Sequence, residues 1–238
     1  KYAEGLLAIK FRVKDENGQM SGGPMYYIER GLGKKWLAKA FALFGIGSAC
    51  FGMGTFAQVN SITSAVDLTF HISPVIVGIV ITVLVALIIL GGIKSISRVA
   101  EIIVPFMAIF YVIGSLLIMF MNIEKIPAVI TLIIKSAFTG TAALGGFTGA
   151  TMMLALRSGV SRGVFSNESG LGSAPIATAA AKTDSCVQQG LVTMTGTFFD
   201  TIIICTMTGI ILVLTGTWSS DLAGAALTKE AFNMGLPV

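Results

Sequence analysis

Asp200 is the residue of this sequence best placed to do chemistry, because it lies near the middle of a long apolar stretch. Phe198 and Phe199 precede it, and three isoleucines follow Thr201. A carboxylate at membrane depth is costly and usually serves a substrate, an ion or a proton. Thr197 and Thr201 add hydroxyl oxygens, which hard cations accept together with carboxylates. The pattern predicts cation coordination or a proton relay, and a structural pair with a lysine or arginine is the alternative.

A second candidate is the stretch 139–151, which holds four glycines and four threonines. A glycine costs a helix about 1 kcal/mol relative to alanine, so Gly145 and Gly146 predict a helix that breaks within the membrane. Irregular backbone at that depth must be buried in protein or line a cavity. The two half-helix ends would offer N–H groups to a carboxylate and carbonyl oxygens to a cation, with Thr148 on the ion pathway. A small-residue packing face without a break is the alternative.

Gln58 is a third candidate, and its helical spacing places it on one face with Gly47, Gly54 and Ser61. Small residues allow another helix to approach closely. An unpaired amide in hydrocarbon costs several kcal/mol, so Gln58 needs a partner. Two interpretations stay open: a hydrogen bond to a neighbouring helix, or a bond to the amine or carboxylate of a ligand.

Asn167 and Glu168 lie in a polar, glycine-containing segment, 162–175. Its two nearby glycines do not make a nucleotide loop, because neither a following lysine nor a preceding strand is present. We interpret Asn167 and Glu168 as a gate or hinge on the cytoplasmic side, and an ordinary capped loop is the alternative.

The elements that must position these residues are membrane helices. The 238 residues are 54% hydrophobic and 12% charged, whereas soluble domains carry about 25% charged residues. This composition excludes disordered, collagen-like and disulfide-stapled classes, and the basic residues lie at the ends of apolar runs, which argues against nucleic acid. We predict an all-α polytopic bundle that forms one partial transmembrane transport domain over 1–238, cut from a longer protein. Its predicted spans lie near 37–64, 74–92, 99–121, 137–157 and 188–216.

The positions of lysine and arginine predict how the spans are oriented. Alternate segments hold eight, two and three of these residues on one side, and none, two and one on the other. Because the richer side faces the cytosol, segments 31–39, 92–98 and 157–189 are predicted to be cytoplasmic.

Several function classes are compatible with a helical membrane bundle. An intramembrane aspartyl-type enzyme needs a second carboxylate that titrates differently, and the other acidic residues lie at span ends or in loops. An ion channel subunit would favour repeated short motifs around a symmetric pore. A secondary transporter, which is not an enzyme, is therefore the leading hypothesis, with the enzyme and the channel subunit as alternatives.

Two longer motifs resemble signatures of the alanine-or-glycine:cation symporter family. One is Gly-Gly-Pro-Met-Tyr-Tyr-Ile at 22–28, followed by Gly-Leu-Gly at 31–33, and the other is Ser-Asn-Glu-Ser-Gly-Leu-Gly-Ser-Ala-Pro-Ile-Ala at 166–177. The resemblance extends over nearly the whole chain. It implies a multi-pass plasma-membrane symporter of small neutral amino acids, alanine or glycine, with sodium as the coupling ion and no other cofactor.

The resemblance also implies a fold and a site. The fold is the inverted-repeat leucine-transporter-like (amino acid–polyamine–cation) fold, in which this chain would supply the end of the second helix and the third to seventh helices. The family's substrate pocket draws on the third and sixth helices, which carries over to Gln58, Gly145, Gly146, Phe147 and Thr151. The first and eighth helices, which complete the substrate and sodium sites in the family, would be missing, so this piece alone is not expected to transport.

Overall fold

The computed structural model describes residues 1–16, 18–51, 53–138 and 148–236. Most of these residues are helical, in agreement with the predicted all-α membrane bundle. The α-helices of this part of the chain are α1 (Tyr2–Lys10), α2 (Pro24–Leu32), α3 (Lys35–Phe51), α4 (Met53–Phe70), α5 (Pro74–Leu90), α6 (Gly92–Met121), α7 (Ile126–Phe138), α8 (Thr148–Asn167), α9 (Ser173–Thr178), α10 (Cys186–Thr197), α11 (Thr206–Thr215) and α12 (Gly224–Gly235).

Shorter elements join these helices. Three-residue 3₁₀ turns lie at Ile123–Lys125 and Thr217–Ser219, and a π-helix, Phe198–Cys205, joins α10 to α11. The all-α prediction did not include the small antiparallel hairpin of β1 (Val13–Lys14) and β2 (Met20–Ser21). It forms because Gly18 takes a positive φ of 76° in the connecting turn, a conformation that favours glycine.

Three helices among the described residues are long and apolar enough to cross a membrane: Lys35–Phe70, Gly92–Met121 and Cys186–Thr215. They overlap the predicted spans near 37–64, 99–121 and 188–216. The apolar helix α5, over the predicted 74–92, is shorter, with 17 residues. The helix over 99–121 begins earlier than predicted, at Gly92, and continues through Pro105. The number of crossings and the orientation stay predictions.

The predicted span near 137–157 lies partly outside the described residues. Its described part belongs to α8, which continues to Asn167. Arg157 and Arg162 are therefore helical rather than in a loop. The alanine-rich stretch 177–182 is helical only as far as Thr178, where α9 ends, and turns follow.

The long helices expose apolar side chains that a water-soluble protein would bury. Helix α5 has no buried residue, and Leu90 at its end is 84% exposed. Contiguous exposed apolar surface of this kind marks contact with lipid or with other apolar protein surfaces. The exposure therefore fits helices surrounded by hydrocarbon.

The chain divides into two compact units. Residues 1–52 and 149–203 form the first unit. Within it α1 packs closely on α10, because each helix presents a glycine to the other. A Cβ on Gly5 would lie 2.5 Å from the Thr193 hydroxyl oxygen, and one on Gly190 would lie 2.9 Å from the Tyr2 ring. Small residues at a helix contact let the backbones approach in this way.

The second unit comprises residues 53–148 and 204–238. Its core is formed by Ile118 of α6, Ile211 of α11 and Ala231 of α12, each at most 1% exposed. A hydrogen bond of 2.5 Å between the hydroxyl groups of Tyr111 and Thr208 joins α6 to α11. Core packing and this bond together hold the three helices in one cluster.

Candidate functional site

The Asp200 carboxylate is bound by the end of another helix. Ser166, in the last turn of α8, donates a hydrogen bond from Oγ to Oδ2 of Asp200 at 2.7 Å. The neighbouring Asn167 donates from Nδ2 to Oγ1 of Thr201 at 2.7 Å and to the carbonyl oxygen of Gly163 at 2.9 Å. Hydrogen bonds to an ionised carboxylate are short and strong. Two adjacent residues of α8 are thus hydrogen-bonded to two adjacent residues of the π-helix. We call these four residues, Ser166, Asn167, Asp200 and Thr201, the Asp200 cluster.

The π-helix explains how adjacent residues both reach α8. It runs from Phe198 to Cys205 in the middle of the apolar stretch. Hydrogen bonding from residue i to i+5 puts more residues into each turn, so consecutive side chains are separated by a smaller rotation than in an α-helix. Asp200 and Thr201 are therefore closer together around the helix axis than they would be in an α-helix. Segments of π-helix inside α-helices are frequent at functional sites.

Thr197 lies one turn before Asp200, and its hydroxyl makes no hydrogen bond in the described part of the chain. Its Oγ1 is buried. On the same helix, Thr193 and Thr195 donate instead to the carbonyl oxygens of Gln189 and Val192. A buried unpaired hydroxyl is destabilising. Thr197 thus offers an oxygen near Asp200 that a ligand can bind.

The two predicted gate residues have different partners. Asn167 belongs to the Asp200 cluster, whereas the Glu168 carboxylate accepts a hydrogen bond of 2.5 Å from Ser173 Oγ at the start of α9. Glu168 has a positive φ of 51°, which is unfavourable for a residue with a side chain. This turn directs the chain from α8 towards α9.

The two glycine-containing motifs, which are far apart in the sequence, pack against each other. A Cβ on Gly22 would lie 2.6 Å from the Ala179 side chain, and one on Gly23 would lie 2.6 Å from Ile176. Gly172, before α9, meets Pro24 at the start of α2 in the same way. The segment 22–24 thus has a packing role. It is the surface on which α9 rests.

Replacing Gly172 by alanine is expected to destabilise this contact. Gly172 has a φ of +84°, and a Cβ would lie 2.6 Å from Phe41 Cζ and 2.7 Å from Pro24 Cγ. The left-handed conformation costs about 1–2 kcal/mol with a side chain, and overpacking adds about 1–3 kcal/mol. The measurement is the unfolding temperature of the purified full-length protein.

Gly170 is the matched control for Gly172. Its φ is +83°, but no described atom lies within 4 Å of the position that a Cβ would take. Gly170→Ala should therefore show the conformational cost without the overpacking. An equal loss of stability in the two variants would show that the contact with Phe41 and Pro24 does not matter.

Arg12 is not among the residues that the sequence predicts to be functional, yet it binds the segment that follows α9. It lies just before β1 and is 11% exposed. Its guanidinium donates to the carbonyl oxygens of Ala179 (3.2 Å), Ala181 (2.7 Å) and Thr183 (2.7 Å) and to the Asp184 carboxylate (2.9 Å). Five N–H donors in a planar fork suit arginine to this role. Arg12 thereby satisfies carbonyl groups that follow the end of α9.

Arg12→Lys is expected to lower the free energy of unfolding by about 1–3 kcal/mol, because an ammonium group cannot serve several carbonyl groups in the same geometry. Asp184→Asn is the control, since the Asp184 side chain is fully exposed and exposed ion pairs contribute little. Thermal unfolding of both full-length variants measures the difference. If Asp184→Asn were as damaging as Arg12→Lys, the ion pair rather than the carbonyl bonds would hold this region.

Glu4 links α1 to the same region. Its Oε1 accepts a hydrogen bond of 3.0 Å from the Gly170 N–H. Burial raises the pKa of the Tyr27 phenol above its usual value, and the negative charge of Glu4 raises it further. The neutral phenol is therefore the favoured form beside this carboxylate.

The predicted substrate residues are only partly described. Gln58 lies on α4 in the second unit and is exposed there. Gly145, Gly146 and Phe147 lie outside the described residues, and so does the predicted helix break. Thr148 and Thr151 belong to α8. Their roles stay predictions.

Long apolar helices, one of them holding a hydrogen-bonded carboxylate, define a helical membrane protein. A profile of the sodium:alanine symporter family matches residues 1–238. The chain therefore belongs to the sodium:alanine symporter family, which confirms the resemblance seen in the sequence. Members of this family are transporters and not enzymes, so the aspartyl-enzyme alternative is not favoured.

Individual relatives agree with this assignment. The chain is 64% identical to an uncharacterised transporter of Haemophilus influenzae, over 99% of this chain and 52% of that protein. It is 50% identical to the sodium/alanine symporter AgcS of Methanococcus maripaludis, over 100% and 53% of the two chains. It is 38% identical to the probable sodium/glutamine symporter GlnT of Bacillus subtilis, over 98% and 48%. The chain thus spans about half the length of these relatives.

Proposed function

We propose that this protein acts as a multi-pass plasma-membrane symporter that couples the uptake of small neutral amino acids, alanine or glycine, to sodium. The proposed fold is the inverted-repeat leucine-transporter-like fold, with alternating access around a helix broken at Gly145 and Gly146. The observation that carries the proposal is the Asp200 cluster inside a long apolar helix, in which the Asp200 carboxylate accepts a hydrogen bond from the Ser166 hydroxyl and the adjacent Thr201 accepts one from the Asn167 amide. Family membership and the name of the relative AgcS support sodium and alanine.

In this proposal Asp200 and its neighbours form part of the sodium pathway. Asp200 offers a carboxylate, Thr201 a hydroxyl oxygen and Thr197 a buried hydroxyl without a described partner. Such hard oxygen donors suit an alkali cation by the same logic as other hard cations. Thr148 is proposed as a further ion-pathway residue. A bound cation would also compensate the charge of a carboxylate that lies in an apolar environment.

The substrate site is proposed from the family resemblance. Gln58 would bind the amine or carboxylate of the amino acid, and Phe147 would close over the side chain. Gly145, Gly146 and Thr151 are the other substrate-binding residues that the resemblance implies. A pocket bounded by a phenyl ring and glycines leaves room for a small neutral side chain. Since the relative GlnT carries a name that specifies glutamine, glutamine is the natural comparison substrate.

Asn167 and Glu168 are proposed as the cytoplasmic gate. Asn167 holds α8 to the π-helix, and Glu168 holds the chain to Ser173 of α9. Opening towards the cytosol would require these hydrogen bonds to break. Because the two residues are adjacent in the sequence, movement of the end of α8 would break both hydrogen bonds together.

Ligand-induced stabilisation of the purified full-length protein tests this proposal. A ligand that binds only the folded state raises the unfolding temperature. We expect alanine and glycine to stabilise the protein in sodium chloride, with little effect in choline chloride and a smaller effect of glutamine. Equal stabilisation by alanine in both salts would contradict sodium coupling, and stabilisation by glutamine alone would contradict the proposed substrate class.

A further inference from the structure

Four basic residues surround the junction of α2 and α3. Arg30 lies in the last turn of α2, and Lys34, Lys35 and Lys39 lie at the start of α3. All four are exposed. The chain bends between them at Gly33, which has a φ of 67°. We call Arg30, Lys34, Lys35 and Lys39 the basic collar.

The positive charges of the collar have no partners within the described part of the protein. No ion pair or side-chain hydrogen bond of these four residues is present there. Glu29, the acidic residue next to the collar in sequence, is exposed and also forms no ion pair among the described residues. Positive charges at the start of a helix oppose the helix dipole, so Lys34 and Lys35 do not serve to stabilise α3. Their charges are therefore available to an external anion.

The apolar neighbours of the collar identify the kind of anion. Trp36 is 70% exposed and Leu32 is 65% exposed. The long apolar helix Lys35–Phe70 begins within the collar, and the end of such a helix is where it would meet the membrane interface. Tryptophan and basic residues together at one end of a membrane helix are typical of contact with lipid headgroups. A nucleic acid or a soluble acidic protein would leave Trp36 and Leu32 without a partner.

We propose that the basic collar binds the headgroups of anionic phospholipids, of the phosphatidylglycerol type, in the leaflet that the lysine and arginine distribution assigns to the cytosol. Ammonium and guanidinium groups bind the lipid phosphate, and Trp36 and Leu32 contact the glycerol and upper acyl region. Clusters of basic residues next to a membrane helix bind anionic lipids in this manner. The inference concerns the membrane surface of the protein and does not depend on which solute is transported.

Native mass spectrometry of the full-length protein, after extraction from vesicles of phosphatidylethanolamine with phosphatidylglycerol or with phosphatidylcholine, tests the proposal. The wild type should retain phosphatidylglycerol in preference to phosphatidylcholine. Lys34→Gln/Lys35→Gln/Lys39→Gln should weaken this retention roughly tenfold to hundredfold, given the contribution of each basic residue near an anionic surface. Folding of the variant is checked by its unfolding temperature.

The matched control removes three positive charges from other segments that are predicted to lie on the same, cytoplasmic side of the membrane. Lys94→Gln/Arg98→Gln/Lys182→Gln should change the retention of phosphatidylglycerol less than about threefold, since these residues belong to two separate segments and do not form a cluster of four basic residues. An equal loss in both triple variants would overturn the proposal in favour of a general charge effect. The proposal would also be overturned if the collar variant retained phosphatidylglycerol as well as the wild type does. Complete displacement of the lipid by inorganic phosphate would overturn it too.

Discussion

Asp200→Asn in the full-length protein is expected to raise the sodium concentration for half-maximal alanine uptake by roughly tenfold to hundredfold, the range for losing a hydrogen bond or contact to a charged group. Asparagine keeps the size of the side chain and an oxygen that accepts the hydrogen bond from Ser166 Oγ. The substitution therefore removes mainly the negative charge. Sodium titration of alanine uptake in proteoliposomes, at matched protein amounts, measures the effect.

Two controls separate a sodium role of Asp200 from a structural role. Ser166→Ala removes the hydrogen bond to Asp200 but keeps the carboxylate, so it should alter the sodium dependence much less. Asp184→Asn removes an exposed carboxylate of the same unit and should leave the sodium dependence unchanged. If Asp200→Asn lowered the unfolding temperature while the sodium dependence of the remaining uptake stayed normal, Asp200 would be structural.

Gln58→Ala is expected to weaken alanine binding by the full-length protein roughly tenfold to hundredfold, because a buried hydrogen bond to a charged ligand contributes about 1.5–3 kcal/mol. The sodium dependence should change little, since Gln58 is assigned to the amino acid. Isothermal titration with alanine in saturating sodium measures the affinity.

Gln188→Ala is the matched control for this substitution. Gln188 is an exposed glutamine of α10 whose side chain accepts a hydrogen bond from Thr183, and its loss should leave alanine binding unchanged. Unaltered alanine affinity in Gln58→Ala would assign Gln58 to helix–helix packing, which is the other interpretation that its spacing leaves open.

The choice of Asp200 as a candidate needs only the sequence, because a carboxylate in an apolar run is unusual wherever the chain folds. Its partners were not predictable. Ser166 lies 34 residues away, and a serine at a helix end carries no signal of which helix it meets. The π-helix was not predictable for a related reason. The residues on either side of Asp200 are mostly apolar, so they show no alternation of polar and apolar faces from which the number of residues per turn could be inferred.

The contacts of the glycine motifs and of Arg12 were likewise not predictable from sequence. Glycine both breaks helices and allows close packing, and only the contact of Gly22 and Gly23 with Ala179 and Ile176 distinguishes the two uses. Arg12 binds the backbone carbonyl oxygen of Ala179, which lies 167 residues away. Because every residue has a carbonyl group, such acceptors leave no trace in the sequence.

The central claim is sodium-coupled uptake of a small neutral amino acid, and flux measurement tests it most directly. Purified full-length protein is reconstituted into vesicles, and the uptake of radiolabelled alanine is followed with an inward sodium gradient or with choline replacing sodium. We predict accumulation of alanine above equilibrium only with the sodium gradient, and its collapse when the gradient is dissipated. Accumulation of equal extent in choline would contradict sodium coupling, and the absence of alanine accumulation in both conditions would contradict the proposed function.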